Sequence, residues 1–356
     1  MGAILAINSG STSFKYKLFS ENEKEIKQGN FNNISDLKAT IKKALKEIAD
    51  FRELVAVGHR VVHGGEKYSK PVLVDYEILK ELENFNELAP LHNPYNLLGI
   101  KEIGQYLPDI PQIAVFDTAF YYGLPEVARI YALPRQITEK YKIRRFGFHG
   151  ISHQFAMQEA AKRLNKDINE INLITCHLGG GWSITAIRKG KAIDTSMGYT
   201  PLEGLVMMTR AGDLDPGIII ELLKESSSFL SEKNYEDVYR LLNNESGIKG
   251  LSGGITDYKE LLKEITLGNQ DAKRALDIAI YRLVKYISAY WSVLEGRVDA
   301  IVFTGAIGAG NPITYNRVMS RLKCLGEIPV LAIKANEELM IVREVKQLIT
   351  ELTKQS

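Results

Sequence analysis

Short apolar runs bounded by small or polar residues recur along the chain, at Ile4–Ile7, Leu54–Val57, Ile113–Phe116, Ile171–Cys176, Ala300–Phe303 and Val330–Ile333. Runs of that length between turn signals predict buried strands. Two more stretches, Tyr16–Phe19 and Ile184–Arg188, alternate as half-buried strands do. Apolar positions 37, 41, 45 and 48 recur with a helical period between Asp36 and Glu53. The same period is stronger at 276, 279, 280, 283, 284, 287, 290, 291 and 294. Further helices are predicted after Asn93, over Ser152–Leu164 with Ser152 as cap, from Pro216, over Pro312–Leu325 and over Leu339–Thr353. Strands interleaved with helices predict an α/β fold.

Two of these strand pairs are joined by small-residue turns. Asn8–Lys15 (NSGSTSFK) follows Ile4–Ile7, and His177–Ser183 (HLGGGWS) follows Ile171–Cys176. The first offers backbone N–H groups, hydroxyls and one ammonium to an anion; an ordinary Ser/Gly hairpin is the alternative. It is neither a Walker loop nor a Rossmann turn. Asn8 and His177 lie 169 positions apart. This repetition predicts a duplicated architecture, with one phosphate-gripping hairpin per domain and a ligand in a cleft between them. Such a layout resembles the ribonuclease H-like fold of the actin, hexokinase and Hsp70 superfamily. The 356 residues also exceed a single core of roughly 250–300 residues. The expected domains are 1–117 completed by 337–356, and 118–336.

Composition narrows the class. A net charge of +2 without a basic block argues against a dedicated nucleic-acid binder. No apolar run approaches the ~20 residues of a membrane span, and the N-terminus lacks a signal-peptide pattern. Cys176 and Cys324, the two cysteines, are expected as buried thiols in a reducing cytoplasm.

Several polar residues sit where chemistry is favoured. His59 and His63 flank Arg60 before Gly64-Gly65, but their strand spacing does not suit one shared metal ion. His92 and Asn93 lie in a loop fixed by Pro90 and Pro94. Asp117 ends a buried strand, either as a functional carboxylate or as a helix cap. His149 precedes a helix, placed to meet an anion or simply packed. Arg210 is followed by Asp213 and Asp215, which could cap the next helix. Glycine-rich turns at Gly250–Asp257 and Thr304–Gly310 precede helices, the second suiting a nucleotide base or sugar.

Ten strings, INSGSTSFK, GHRVVHGGEK, APLHNPYNLLGI, AVFDTAF, RRFGFHGISH, CHLGGGWSITAI, DTSMGYTPLEG, TRAGDLDP, VFTGAIG and NEEL, occur in this order over nearly the whole chain. Together they resemble the acetokinase (acetate kinase) family. The resemblance implies reversible phosphoryl transfer from ATP to acetate by direct in-line displacement, giving acetyl phosphate and ADP, with Mg²⁺ or Mn²⁺ and a homodimer. It implies that Ser11, Ser13 and Lys15 contact phosphate, with Asn8 and Glu337 at the metal. Arg60 and Arg210 would grip the carboxylate and the phosphoryl group. His149 would stabilise the transition state, His92 would support the site, and Asp117 would lie against the acyl substrate and metal. Val62, Leu91, Phe148 and Pro201 would line the acyl pocket. His177, Gly179 and Gly181 would form the second phosphate loop. Asp257, Tyr258, Gly305, Ala306 and Gly308 would face the adenosine.

The departures from the family pattern fall on the nucleotide side. Gly180 stands where the family has an asparagine, and Ala306, Ala309 and Gly310 interrupt a GGIGEN element. Lys259 replaces an arginine, and the stretch between Leu325 and Val330 is short. A pyrophosphate-dependent enzyme, a propionate or butyrate kinase, and a non-catalytic phosphate- or nucleotide-sensing relative are the alternatives.

Overall fold

A computed structural model describes residues 2–48, 53–90, 92–224 and 234–355. The chain forms two compact units. One combines residues up to Tyr122 with Phe148–Phe155 and everything from Asn336 on; the other holds Gly123–Gly147 and Ala156–Ala335. The expected boundaries put 118–122, 148–155 and 336 in the second domain; the structure groups them with the first. Gly150 presses on the end of the strand Gln112–Phe116, where a Cβ would lie 2.0 Å from Asp117 O, and Tyr121 donates to Phe148 O at 3.0 Å.

In the first unit β1 (Ala3–Ser9), β2 (Ser13–Phe19) and β3 (Glu25–Asn32) form an antiparallel meander. β4 (Leu54–Val61) returns parallel to β1. The two-residue β5 (Val72–Leu73) edges β6 (Gln112–Phe116), which runs parallel to β4. Leu5, Ile7 and Val57 pack with the helix Leu37–Ile48 and with Ile103 of the helix Asn93–Tyr106. On the opposite face Gly58 meets the last helix, Glu337–Gln355: a Cβ there would lie 2.6 Å from Ile341 and 2.7 Å from Val345.

The second unit repeats the topology. β7 (Leu173–Leu178), β8 (Trp182–Arg188) and β9 (Lys191–Thr195) form a meander, and β10 (Ala300–Thr304) returns parallel to β7. β11 (Val330–Ala332) lies beyond β10. The sheet orders are β3-β2-β1-β4-β6-β5 and β9-β8-β7-β10-β11. Each is a meander followed by parallel strands added beside its first strand, so the duplication inferred from the two hairpins extends to whole sheets. Between β8 and β9, Lys189 and Gly190 both have positive φ (50° and 72°), the type I′ turn that matches strand twist. The helix Gln270–Val293 buries Leu276, Ala279, Ile280, Leu283 and Ile287 within this unit, so its apolar face is core.

Some boundaries differ from expectation. The helix expected at Ser152 is Gly150–Leu164, so Ser152 lies inside it and does not cap it. The expected Pro312–Leu325 helix stops at Ser320, and a separate single turn covers Lys323–Leu325. That turn leaves Cys324 exposed, whereas Cys176 is buried in β7. The expected loop after Thr304 is a helical turn, Gly305–Gly308. No helix among the described residues is long and apolar enough to cross a membrane.

Candidate active site

Three neighbouring parallel strands of the first unit, β1, β4 and β6, end in Asn8-Ser9, Arg60-Val61 and Asp117. The crevice outside the carboxyl ends of such strands is where open α/β sheets bind ligands. Arg60 donates from Nε and Nη2 to Asp117 Oδ2, at 3.1 and 2.6 Å. Asp117 is 1% exposed, and its Oδ1 has no hydrogen-bond partner among the described residues. Asp117 therefore serves the arginine rather than capping the following turn. Burial alone would lower the Arg60 pKa, but the charges of Asp117, Glu337 and Glu338 outweigh it and hold the guanidinium above its ordinary value.

The last helix begins at Glu337, so both acidic residues lie in its first turn, where the helix dipole favours negative charge. Lys17 secures that turn, with Nζ 3.0 Å from Asn336 Oδ1 and 3.6 Å from Glu338. In the β1–β2 turn Gly10 N donates to Ser13 O at 2.7 Å, leaving Ser11 and Lys15 exposed and Ser13 half-buried. Lys15 pairs across the hairpin with Asn8.

His149 has φ of 57° and immediately precedes the helix Gly150–Leu164. That helix starts against the carbonyl of Asp117: a Cβ on Gly150 would sit 2.0 Å from Asp117 O. Phe148 is buried, its ring edge-on to His63 at 5.6 Å. Val62 is buried, whereas Leu91 lies outside the described residues. His92 is half-buried at the head of the helix Asn93–Tyr106. Burial pushes His63 down to about 3 and His59 to about 4, although Gln112, 2.7 Å from His59 Nε2, partly offsets the latter. Both are neutral packed side chains.

The second unit holds the other candidates. In the β7–β8 turn Gly179 N donates to Gly181 O at 3.0 Å, and Trp182 Nε1 donates to Gly179 O at 2.9 Å. His177 is buried at the end of β7. Gly305 has φ of 80°, and a Cβ there would lie 2.4 Å from Leu178 O, so the close approach of the helical turn to β7 requires glycine. Gly308 is buried against the same strand, while Ala306 is exposed. A Cβ at Gly180 would meet no described atom within 4 Å, so the fold has room for the side chain this chain omits. Asp257 caps the helix Tyr258–Thr266, accepting from Glu260 N at 2.9 Å. Tyr258 is buried near Trp182, with its hydroxyl 2.6 Å from Thr314 Oγ1.

Arg210 donates to Pro201 O at 3.2 Å, joining two segments of irregular chain. A polar network unmarked in the sequence supports them. Arg145 donates to Thr195 O at 3.0 Å and Glu203 Oε1 at 2.5 Å, and Tyr131 donates to Glu203 Oε2. Asp213 accepts from Gly204 N and Tyr286 Oη, at 2.8 and 2.7 Å, so of the two expected caps only Asp215 performs that role, toward Gly217 N. The sequence singled out neither Glu338 nor the buried amide Asn96, and it read Asn93 as loop where the structure makes it the first residue of a helix. Burial is the property that distinguishes them, and no local pattern reports it.

The acetokinase family model matches residues 22–329. The acetate kinase of Thermosipho melanesiensis is 42% identical over 410 aligned positions, covering 99% of each chain. That alignment is longer than this chain, so the relative carries segments with no counterpart here. Among solved structures, the acetate kinase of Porphyromonas gingivalis superposes with a TM-score of 0.88 at 33% identity, covering 98% of this chain and 100% of that one. A propionate kinase from Francisella tularensis gives 0.88 at 35% identity, covering 97% and 99%. Matched in motif order, in sheet topology and over nearly its whole length, the chain belongs to the acetokinase family.

Proposed function

We propose that this protein is an acetate kinase, transferring a phosphoryl group reversibly between ATP and acetate. The observation that carries the reading is the buried Arg60–Asp117 pair at the ends of adjacent parallel strands, with Asp117 Oδ1 left open beside it. Acetate, with a pKa near 4, is ionised near neutral pH and needs no general base. The work left to the protein is positioning and charge. One acetate oxygen attacks the γ-phosphorus while the bond to the ADP oxygen breaks. Arg60 holds the carboxylate in line, and Arg210 and His149 meet the equatorial oxygens as charge develops. Ser11, Ser13 and Lys15 hold the phosphate chain from the first hairpin, and His177, Gly179 and Gly181 from the second. Asp257, Tyr258, Gly305, Ala306 and Gly308 form the adenosine side. Val62, Leu91, Phe148 and Pro201 bound the methyl group, and His92 supports them.

The donor set fits Mg²⁺. Asn8, Asp117 Oδ1 and Glu337 offer hard oxygen ligands, and Asp117 Oδ1 is buried without a partner among the described residues. Mg²⁺ binds through few protein oxygens and keeps waters and substrate phosphates as its other ligands. When bound, Mg²⁺ neutralises charge between the phosphates. A cytoplasmic homodimer completes the reading.

A coupled assay with ATP, Mg²⁺ and acetate tests the reading; no acetyl phosphate with ATP, GTP or pyrophosphate as donor defeats it. A second reading, a propionate kinase, is favoured by the equal structural likeness to the Francisella enzyme. Comparing kcat/KM for acetate and propionate separates them, since one methylene is worth roughly 1–3 kcal/mol.

A further inference from the structure

The helix Asn93–Tyr106 turns two buried amides toward the ends of β1 and β4. Asn96 Nδ2 donates to Ser9 O at 2.6 Å, and its Oδ1 accepts from Val62 N at 3.1 Å. Asn93 Oδ1 accepts from His63 N at 2.9 Å, and its Nδ2 donates to His63 O at 3.0 Å. Parallel pairing of the two strands stops at Ile7 and His59. Beyond that point Ser9 O and Val62 N, an acceptor and a donor of the kind a further rung would join, are both bonded to one side chain. The strand ends are thereby held apart by the width of an amide. Asn8 stands beside one end of this split and Arg60 beside the other. The helix approaches closely enough that a Cβ on Gly99 would lie 2.3 Å from Ser9 Oγ.

We propose that Asn96, aided by Asn93, is a positioning residue for phosphoryl transfer: it sets the separation of the β1 and β4 ends, and with it the placement of Asn8 and Arg60. The proposal rests on the acetate kinase reading. The side chain bonds main chain only, so it acts through the residues it places. Asparagine suits the position because one short side chain supplies both a donor and an acceptor. An aspartate keeps the bond to Val62 N but turns an oxygen toward Ser9 O.

Asn96→Ser and Asn96→Asp are measured beside Ile100→Ala, which removes packing from a buried residue of the same helix that takes part in none of these amide hydrogen bonds. Wild-type acetyl phosphate formation reports on the acetate kinase reading alone. Both Asn96 variants are expected to lose kcat about 10–100-fold, the scale of a misplacement near 1 Å. KM for ATP is expected to stay within about threefold, because the lost interaction is not one with nucleotide. Ile100→Ala, even if its Tm falls as far, is expected to keep kcat within about twofold. Hydrogen–deuterium exchange gives a readout independent of turnover, with faster exchange expected only over residues 9–13 and 60–65. Wild-type kcat in the Asn96 variants, an equal loss in Ile100→Ala, or exchange that rises uniformly overturns the proposal.

Discussion

Arg60 donates two hydrogen bonds to a single oxygen of Asp117, and this pair shows how much of the site residue types can announce. A carboxylate at the end of a buried strand was visible in the sequence, as was an arginine between two histidines. Their pairing was not, because 57 residues separate them along the chain. The planar guanidinium matters in that geometry. Arg60→Ala is expected to lower kcat/KM about 10²–10³-fold, the scale of losing one preorganised transition-state donor. Arg60→Lys should restore little, since an ammonium cannot reproduce the fork. Steady-state kinetics with acetate checks both, and a lysine variant within a fewfold of wild type contradicts this role. Asn93 and Asn96 were illegible for a different reason: an asparagine after a proline-flanked histidine reads as loop chemistry until burial shows that it bonds two strand ends.

At the level of elements, the start of a helix decides where His149 stands. The capping serine put that start at Ser152, but the first turn begins at Gly150, pressed on the Asp117 carbonyl. Gly150→Ala forces a Cβ into that contact. Overpacking of this kind costs about 1–3 kcal/mol, so Tm should fall measurably. The shift of the helix start should also lower kcat about tenfold or more. Gly305→Ala is the counterpart in the second unit, with both a positive φ and a Cβ 2.4 Å from Leu178 O. It should lower Tm and raise KM for ATP while leaving KM for acetate near wild type. Melting curves and separate KM determinations test the pair, and an unchanged KM for ATP in Gly305→Ala would remove that turn from the nucleotide site.

For the whole molecule, the buried neutral histidines set an acid limit. His59 and His63 are held at about 4 and about 3 in the fold, against about 6.5 when unfolded. The unfolded chain therefore binds protons first as pH falls. Stability is highest above pH ~6.5 and is lost below it, by about 1.4 kcal/mol per pH unit for each histidine, until the folded values are reached. His59→Gln removes one contribution. Denaturant midpoints at pH 7 and pH 5 should show the variant losing about 2 kcal/mol less than wild type. Equal losses would mean that His59 is not buried neutral.

Sequence alone determined the class of fold, the duplication and the family, and it named the candidate reacting groups. Apolar runs, glycine turns and charged motifs are local, and each strand pair with its turn lies within a short stretch of chain. Tertiary structure decided which of those groups meet. It brought Arg60 to Asp117, brought the charges of Glu337 and Glu338 within reach of the same arginine, and bonded the ends of β1 and β4 to Asn96. It also turned His59 and His63 into packing residues. The physical reason is desolvation. Burial makes an unpaired charge or an unbonded amide costly, and burial is created only when distant segments pack together.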